Sequence, residues 1–151
     1  MLSRFFTAVR PAAILLTAAL LAGCQTLGND GLVASRAPAE LTAPAASAVA
    51  GDLVPRFAEQ IGPGTATIVL KPDSSVFGSA LESSLRTWGY AVTTDQDTKD
   101  PKAIRVAYVL VPSDDQVLAR LSTGLIEIGR IYAMTPTGAT PASPVSVMTR
   151  S

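Results

Sequence analysis

Val49, Leu53, Phe57 and Ile61 recur every four residues, with Ala46 and Ala50 beside them, while Asp52, Arg56, Glu59 and Gln60 fall elsewhere. That spacing puts one apolar face on a helix running from about Ala45 to Ile61. Pro55 lies inside it. A proline there removes one backbone hydrogen bond and presses its ring against the carbonyl of residue 51, at a cost of about 3 kcal/mol. The helix is therefore expected either to kink near Gly51 or to begin only at Pro55, and Gly62-Pro63-Gly64 ends it in both cases. Thr65 to Leu70 is β-branched and apolar and closes on Lys71-Pro72-Asp73, which predicts a strand and a turn. A second helix follows, capped by Ser74 or Ser75. Phe77, Leu81, Leu85 and Trp88 form its inner face, and Glu82 and Arg86 pair outside. On this pattern Trp88 is buried, and its replacement by alanine is expected to cost about 3 to 5 kcal/mol. Gly89 supplies the left-handed cap, Tyr90 to Thr94 reads as the next strand, and the charged stretch Asp95 to Lys102 as a solvated loop.

From Ile104 onward the period shortens to two. Ile104 to Val111 leads through Pro112-Ser113-Asp114-Asp115 into Gln116 to Ser122, where Val117, Ala119 and Leu121 alternate with Gln116, Leu118, Arg120 and Ser122. Ser122-Thr123-Gly124 turns into Leu125 to Thr135, completing a meander of three antiparallel strands. A short strand from Val145 to Thr149 is possible after the break at Pro141 to Pro144. The order of elements argues for an α+β domain with two helices packed on one face of a small, mostly antiparallel sheet.

The N-terminal region has a different pattern. Arg4 and Arg10 are the only charges before Asp30, and Pro11 to Leu21 forms a short apolar run ending in Leu21-Ala22-Gly23-Cys24. That is the layout of a signal peptide, and the run is too short for a membrane-spanning helix, which needs about 20 apolar residues. The quartet resembles the bacterial lipobox, in which Leu21, Ala22 and Gly23 would admit the lipoprotein signal peptidase and Cys24 would carry the lipid. The organisation expected is a signal peptide over 1–23, a lipidated flexible tether over 24–44, and a small α+β periplasmic domain over 45–151. Gln25 to Pro44 is rich in Ala, Pro, Ser and Gly, and at about 3 Å per extended residue it could hold the domain up to about 60 Å from the membrane. Gln25 stands where an aspartate would, by resemblance to known sorting rules, retain a lipoprotein in the inner membrane. The outer membrane, with the domain facing the periplasm, is therefore the expected location.

Composition narrows the chemistry. Of 151 residues, the 23 before Cys24 are lost on cleavage, leaving 128. Taking Arg4 and Arg10 from the twelve basic residues leaves ten against twelve acidic ones. A slightly acidic chain with no two basic residues adjacent gives nucleic acid no foothold. The single cysteine is the lipidation candidate, so no disulfide can form within the domain. There is no histidine, which removes the usual general base and the commonest metal ligand. No serine has a lysine three residues downstream, and Gly62-Pro63-Gly64 has neither the spacing nor the N–H groups of a phosphate loop. Asp95, Asp97 and Asp100, and the pair Asp114 and Asp115, lie in polar loops without the cleft that paired carboxylates need, or the glycine and terminal glutamate of a calcium loop. No catalytic residue, cofactor, metal or small-molecule substrate is expected.

Several stretches resemble a known family. They are the lipobox, Ser47-Ala48-Val49-Ala50-Gly51-Asp52, Ala58-Glu59-Gln60-Ile61-Gly62-Pro63-Gly64-Thr65, Phe77-Gly78, Trp88-Gly89-Tyr90-Ala91-Val92, Ala107-Tyr108-Val109, Val117-Leu118-Ala119-Arg120-Leu121-Ser122-Thr123, Gly129-Arg130 and Gly138-Ala139-Thr140-Pro141-Ala142-Ser143-Pro144. These resemble the TrbH family of conjugal transfer lipoproteins nearly end to end. The resemblance implies a role in plasmid conjugation, in the mating-pair formation machinery of a type IV secretion system, with other conjugation or secretion-channel proteins as partners. It carries over no catalytic motif. The alternative is a periplasmic regulatory or peptidoglycan-associated outer-membrane lipoprotein, which would also work by contact. Within the meander Arg120, Glu127 and Arg130 are the only charges from Gln116 to Thr135, which makes Arg120 and Arg130 the candidate partner contacts.

Overall fold

A computed structural model describes residues 35–38 and 40–150. The expected signal peptide, Leu21, Ala22, Gly23 and Cys24, and the first part of the expected tether lie outside them. In chain order the elements are α1 (Ala43–Ile61), β1 (Thr67–Leu70), α2 (Val76–Thr87), β2 (Ala91–Thr93), β3 (Ile104–Ser113), β4 (Gln116–Ser122), β5 (Ile126–Thr135), β6 (Gly138–Pro141) and β7 (Ser146–Thr149). The fold is α+β, two helices against a mostly antiparallel sheet.

Thr42 opens α1 by accepting the Ala45 N–H on its hydroxyl at 3.3 Å, and Pro44 sits in the first turn, where a missing N–H costs nothing. The helix then passes through Pro55 unbroken, so it does not begin there. The carbonyl that Pro55 leaves without a partner belongs to Gly51, an exposed residue, and solvent can satisfy it. Ala45, Ala46, Val49, Ala50, Leu53, Val54, Phe57 and Ala58 form the buried face, and Gly62 closes the helix at φ 94°.

Ser75 caps α2 by accepting the Gly78 N–H at 3.0 Å. Phe77, Leu81 and Leu85 are buried as the spacing predicts, but Trp88 is not: it is 47% exposed. The helix ends at Thr87 and Gly89 takes φ 92°, so the chain turns at Trp88 and carries its ring away from the face that Leu85 still occupies. The cost expected for Trp88→Ala falls accordingly, because a half-exposed ring leaves no core cavity.

The sheet runs β2-β1-β3-β4-β5-β6, with β7 also pairing with β5. The three strands nearest α2 are parallel, Ile68 lying between Val92 and Ile104. The rest is antiparallel. β6, which the prolines at 141 and 144 hide from the sequence pattern, pairs with the second half of β5 through Thr135↔Gly138, and β7 pairs with the first half through Ile128↔Val147.

Part of the expected tether belongs to the packed body. Arg36 prolongs the line of β1 along β3, donating its N–H to the Tyr108 carbonyl and accepting the Leu110 N–H, each at 2.9 Å. The Ser35 hydroxyl accepts the Tyr108 N–H at 3.3 Å, Ala37 donates to Asp73 Oδ2 at 2.6 Å, and Leu41 is buried. Backbone pairing and one buried leucine thus order a stretch whose composition is that of a linker.

Candidate partner-binding face

Alternation along β3, β4 and β5 divides their side chains between two faces. Tyr108, Leu110, Val117, Ala119, Leu121, Ile128 and Tyr132 point toward the helices and are buried. On the reverse face the register places Val111 opposite Leu118 and Leu118 opposite Ile131. These three are intermediate or exposed, and no element among the described residues lies over them. Beside them Arg120 pairs with Glu127 at 3.3 Å, Arg150 pairs with the same carboxylate at 2.7 Å, and the Ser122 hydroxyl donates to it at 2.9 Å. Burial alone would raise the Glu127 pKa, yet the Ser122 hydrogen bond and the two guanidinium groups outweigh it and hold the carboxyl below its ordinary value of 4.5. Arg36, Val109, Arg120, Glu127 and Arg150 border a shallow recess of about 280 Å³. The reverse face is thus an apolar row edged by guanidinium groups.

Arg130 lies on the other side. It is one residue out of phase with Arg120, since Ala119 and not Arg120 stands opposite it, and it points under α1. There its Nη1 grips both oxygens of Asp52 at 2.9 and 3.1 Å, and its Nε donates to the Ser143 carbonyl at 2.7 Å. Tyr132 donates its hydroxyl to Asp52 at 2.7 Å. Burial, and then the hydrogen bond to Asp52, push the Tyr132 pKa well above its ordinary value of 10. The two candidate arginines therefore do not form one surface: Arg120 edges the open face, and Arg130 locks α1 to β5. The signal was present in the sequence, because Arg130 shares its parity in β5 with Ile128 and Tyr132. Asp52, by contrast, falls outside the i,i+4 apolar stripe that marks the inner face of α1.

A second polar group joins Ser35–Ala37, β3 and the start of α2. Tyr108 donates its hydroxyl to Asp73 Oδ1 at 2.5 Å, and the same oxygen accepts the Ser75 N–H at 3.0 Å. Burial, then the Asp73 hydrogen bond, push the Tyr108 pKa up to about 12. For Asp73 burial acts in the opposite direction, but hydrogen bonds from Ser75, Tyr108 and Ala37 hold its pKa below 3.8. Phe77 packs edge-to-face on Tyr108 at 5.1 Å, and a side chain at Gly78 would run into the Tyr108 hydroxyl. These contacts are structural. Among the described residues no group of His, Cys, Asp and Glu could hold a metal, and no helix is long and apolar enough to cross a membrane.

Comparison with known proteins gives a consistent picture. The family model described as "Conjugal transfer protein TrbH" matches residues 27–151. A protein of Sinorhizobium fredii (strain NBRC 101917 / NGR234) named "Probable conjugal transfer protein TrbH" is 52% identical over 140 residues, covering 89% of this chain and 94% of its own. No solved structure matches. With a family model matched across the entire described domain and an identity of this size over nearly the full length, the chain belongs to the TrbH family of conjugal transfer proteins.

Proposed function

We propose that the protein is a lipid-anchored envelope component of a plasmid conjugal transfer apparatus, a type IV secretion system for mating-pair formation, and that it acts by protein–protein contact. The observation that carries this reading is the TrbH match along residues 27–151. Leu21-Ala22-Gly23-Cys24 supports the anchor: Cys24 is the lipidated residue and the first of the mature chain, and Gln25 after it directs the protein to the outer membrane. A chain without histidine, in which Asp52 and Glu127 are both engaged by arginines within the described residues, has little to offer as an enzyme and much to offer as a scaffold. The contact surface assigned to it is the reverse face of the meander, with Val111, Leu118 and Ile131 as its apolar row and Arg120 at its edge. Arg130 supports that face from behind through Asp52.

The test is a deletion complemented in the donor cell. The wild-type gene restores plasmid transfer and its product takes up labelled fatty acid. Cys24→Ser yields unlabelled, unprocessed precursor and fails to restore transfer. Full transfer by a deletion strain, with normal assembly of the secretion channel, overturns the role, and equal fatty-acid labelling of wild type and Cys24→Ser overturns the anchor.

A further inference from the structure

Ser35–Ala37 runs parallel to β3, entering beside Tyr108 and leaving toward Leu110. Ser35, beside Tyr108, thus lies four residues of β3 from the end of the sheet at which that strand starts. The topology brings particular residues to that end. β1 and β2 start there too, being parallel to β3, so Trp88, in the turn between α2 and β2, lies there beside Gly64, which precedes β1. β4 ends there and β5 begins there, which puts Leu125 at the tip of the turn joining them. β7 finishes there, with Met148 opposite Glu127 and the Arg150 N–H bonded to the Leu125 carbonyl at 2.7 Å. Leu125 is 72% exposed, Met148 52% and Trp88 47%, the three most exposed large apolar side chains among the described residues. The opposite end carries the Asp114–Asp115 turn between β3 and β4.

We infer that this end of the domain, through Trp88, Leu125 and Met148, sits in the membrane interface. The inference rests on the proposed lipid at Cys24. From Cys24 to Ser35 is eleven residues, a reach of about 37 Å when fully extended and about 18 Å on average for a flexible chain. A domain held that close meets the bilayer at a high effective concentration, so contacts too weak to bind a free protein suffice to orient a tethered one. Tryptophan prefers this boundary because its ring is apolar and its indole N–H is a donor, and a leucine at a turn tip can enter the acyl region without unpairing a strand. The Thr123 hydroxyl accepts the Leu125 and Ile126 N–H groups at 3.1 and 3.0 Å, so insertion would leave these two donors at the turn satisfied. In this orientation the acidic turn at Asp114–Asp115 points away from the membrane.

Trp88 is the only tryptophan of the chain, so its emission reports this end without a label. The full-length lipoprotein, purified from a lipoprotein-processing bacterium, is incorporated into phosphatidylethanolamine–phosphatidylglycerol vesicles with plain or brominated acyl chains. Flotation reports the anchor and emission reports the orientation. The expected result is that the protein floats, that Trp88 emission lies at shorter wavelength than in detergent-free solution and is quenched by the brominated lipid, and that Leu125→Asp weakens the quenching while the variant still floats. Floating protein with unquenched emission overturns the inference and leaves the anchor standing, as does quenching indifferent to both Leu125→Asp and Met148→Asp. Protein that neither floats nor is quenched overturns both.

Discussion

The two faces of the meander are built from the same three strands, yet they use arginine in opposite ways. Under α1, Arg130 is enclosed with Asp52 and Tyr132, and three polar groups meet over a distance of 78 to 80 residues in the chain. On the reverse face, Arg120 and Arg150 reach Glu127 from the solvent side, and both guanidinium groups keep 40% of their side-chain surface exposed. The first arrangement orders the fold, because each partner would be left buried and uncompensated without the others. In the second the carboxylate is buried but shared, so either half-exposed guanidinium can be lost for about 0 to 1 kcal/mol, and its charge stays available to another molecule. The difference separates the half of the sheet that makes the domain from the half free to make a contact.

The largest effect that tests this contrast comes from two leucines on β4. Leu121 is fully buried and Leu118, three residues away on the other face, is not. Leu121→Ala is expected to cost about 3 kcal/mol, within the usual 2 to 5 for a buried leucine, and to lower the melting temperature by on the order of ten degrees. Leu118→Ala is expected to cost about 1 kcal/mol or less. Equal shifts in thermal unfolding would show that something covers the reverse face. The two ion clusters give the next test. Asp52→Ala removes the partner of a half-buried arginine and a buried tyrosine together, and about 2 kcal/mol is expected to be lost, more than for Glu127→Gln. A urea titration that ranked the two in reverse order would make the reverse face the structural one.

Much of this division was legible in advance. The i,i+4 stripes found α1 and α2, and the alternation of Val117, Ala119 and Leu121 fixed which side of β4 faces inward. The failures have definite physical causes. Trp88 follows Leu85 at helical spacing, but spacing says nothing about a helix that stops one residue earlier. β6 carries a proline at an outer position of its strand, where no ladder hydrogen bond is required, and proline there reads as a break. The parallel pairing of β1 with β2 was signalled by their strand–helix–strand order, whereas that of β1 with β3 is reached through the charged loop after β2 and leaves no such trace. Ser35–Ala37 has a linker's composition and is ordered by partners about 36 to 73 residues away. At the candidate face the apolar row could be read from alternation, whereas the sharing of Glu127 by Arg120 and Arg150 could not, because it joins β5 to the residue just after β7, 23 positions on.

The faces should also separate by pH. Tyr108 and Tyr132 lie under the helices, and the third tyrosine of the chain, Tyr90, donates to the Gly62 carbonyl; burial raises the pKa of all three above 10. A group whose folded pKa is raised keeps its stabilising contribution below its unfolded value and loses it as the pH climbs through the folded one. Tyrosinate absorbance of the native protein is therefore expected to stay flat through pH 10, and stability to fall from there to about pH 12, where Tyr108 ionises. The reverse face responds at the acid end. The depressed pKa of Glu127 gives a contribution that is complete above 4.5 and is lost as the pH falls below it. Asp73 adds to the same limb from the covered side. Glu127→Gln should flatten part of the acid limb and leave the alkaline one unchanged, and a change confined to the alkaline limb would contradict the assignment.

The smallest structural effect belongs to Arg120, and for that reason it is the most informative about function. Arg120→Ala leaves Glu127 with Arg150 and Ser122, so the carboxylate keeps two of its three partners and the fold is expected to lose at most about 1 kcal/mol. Plasmid transfer should nevertheless fall if the reverse face is a docking surface, because removing a charge at the rim of an apolar contact weakens attraction to the partner without touching the core that presents it. Arg130→Ala serves as the control with the opposite profile: it strands Asp52 under α1, so any loss of transfer should track a loss of folded protein measured in the same cells. A folded, exported Arg120→Ala variant that transfers normally, set beside an Arg130→Ala variant whose transfer falls only with its abundance, would remove the reverse face as the contact and send the search to the strand edges.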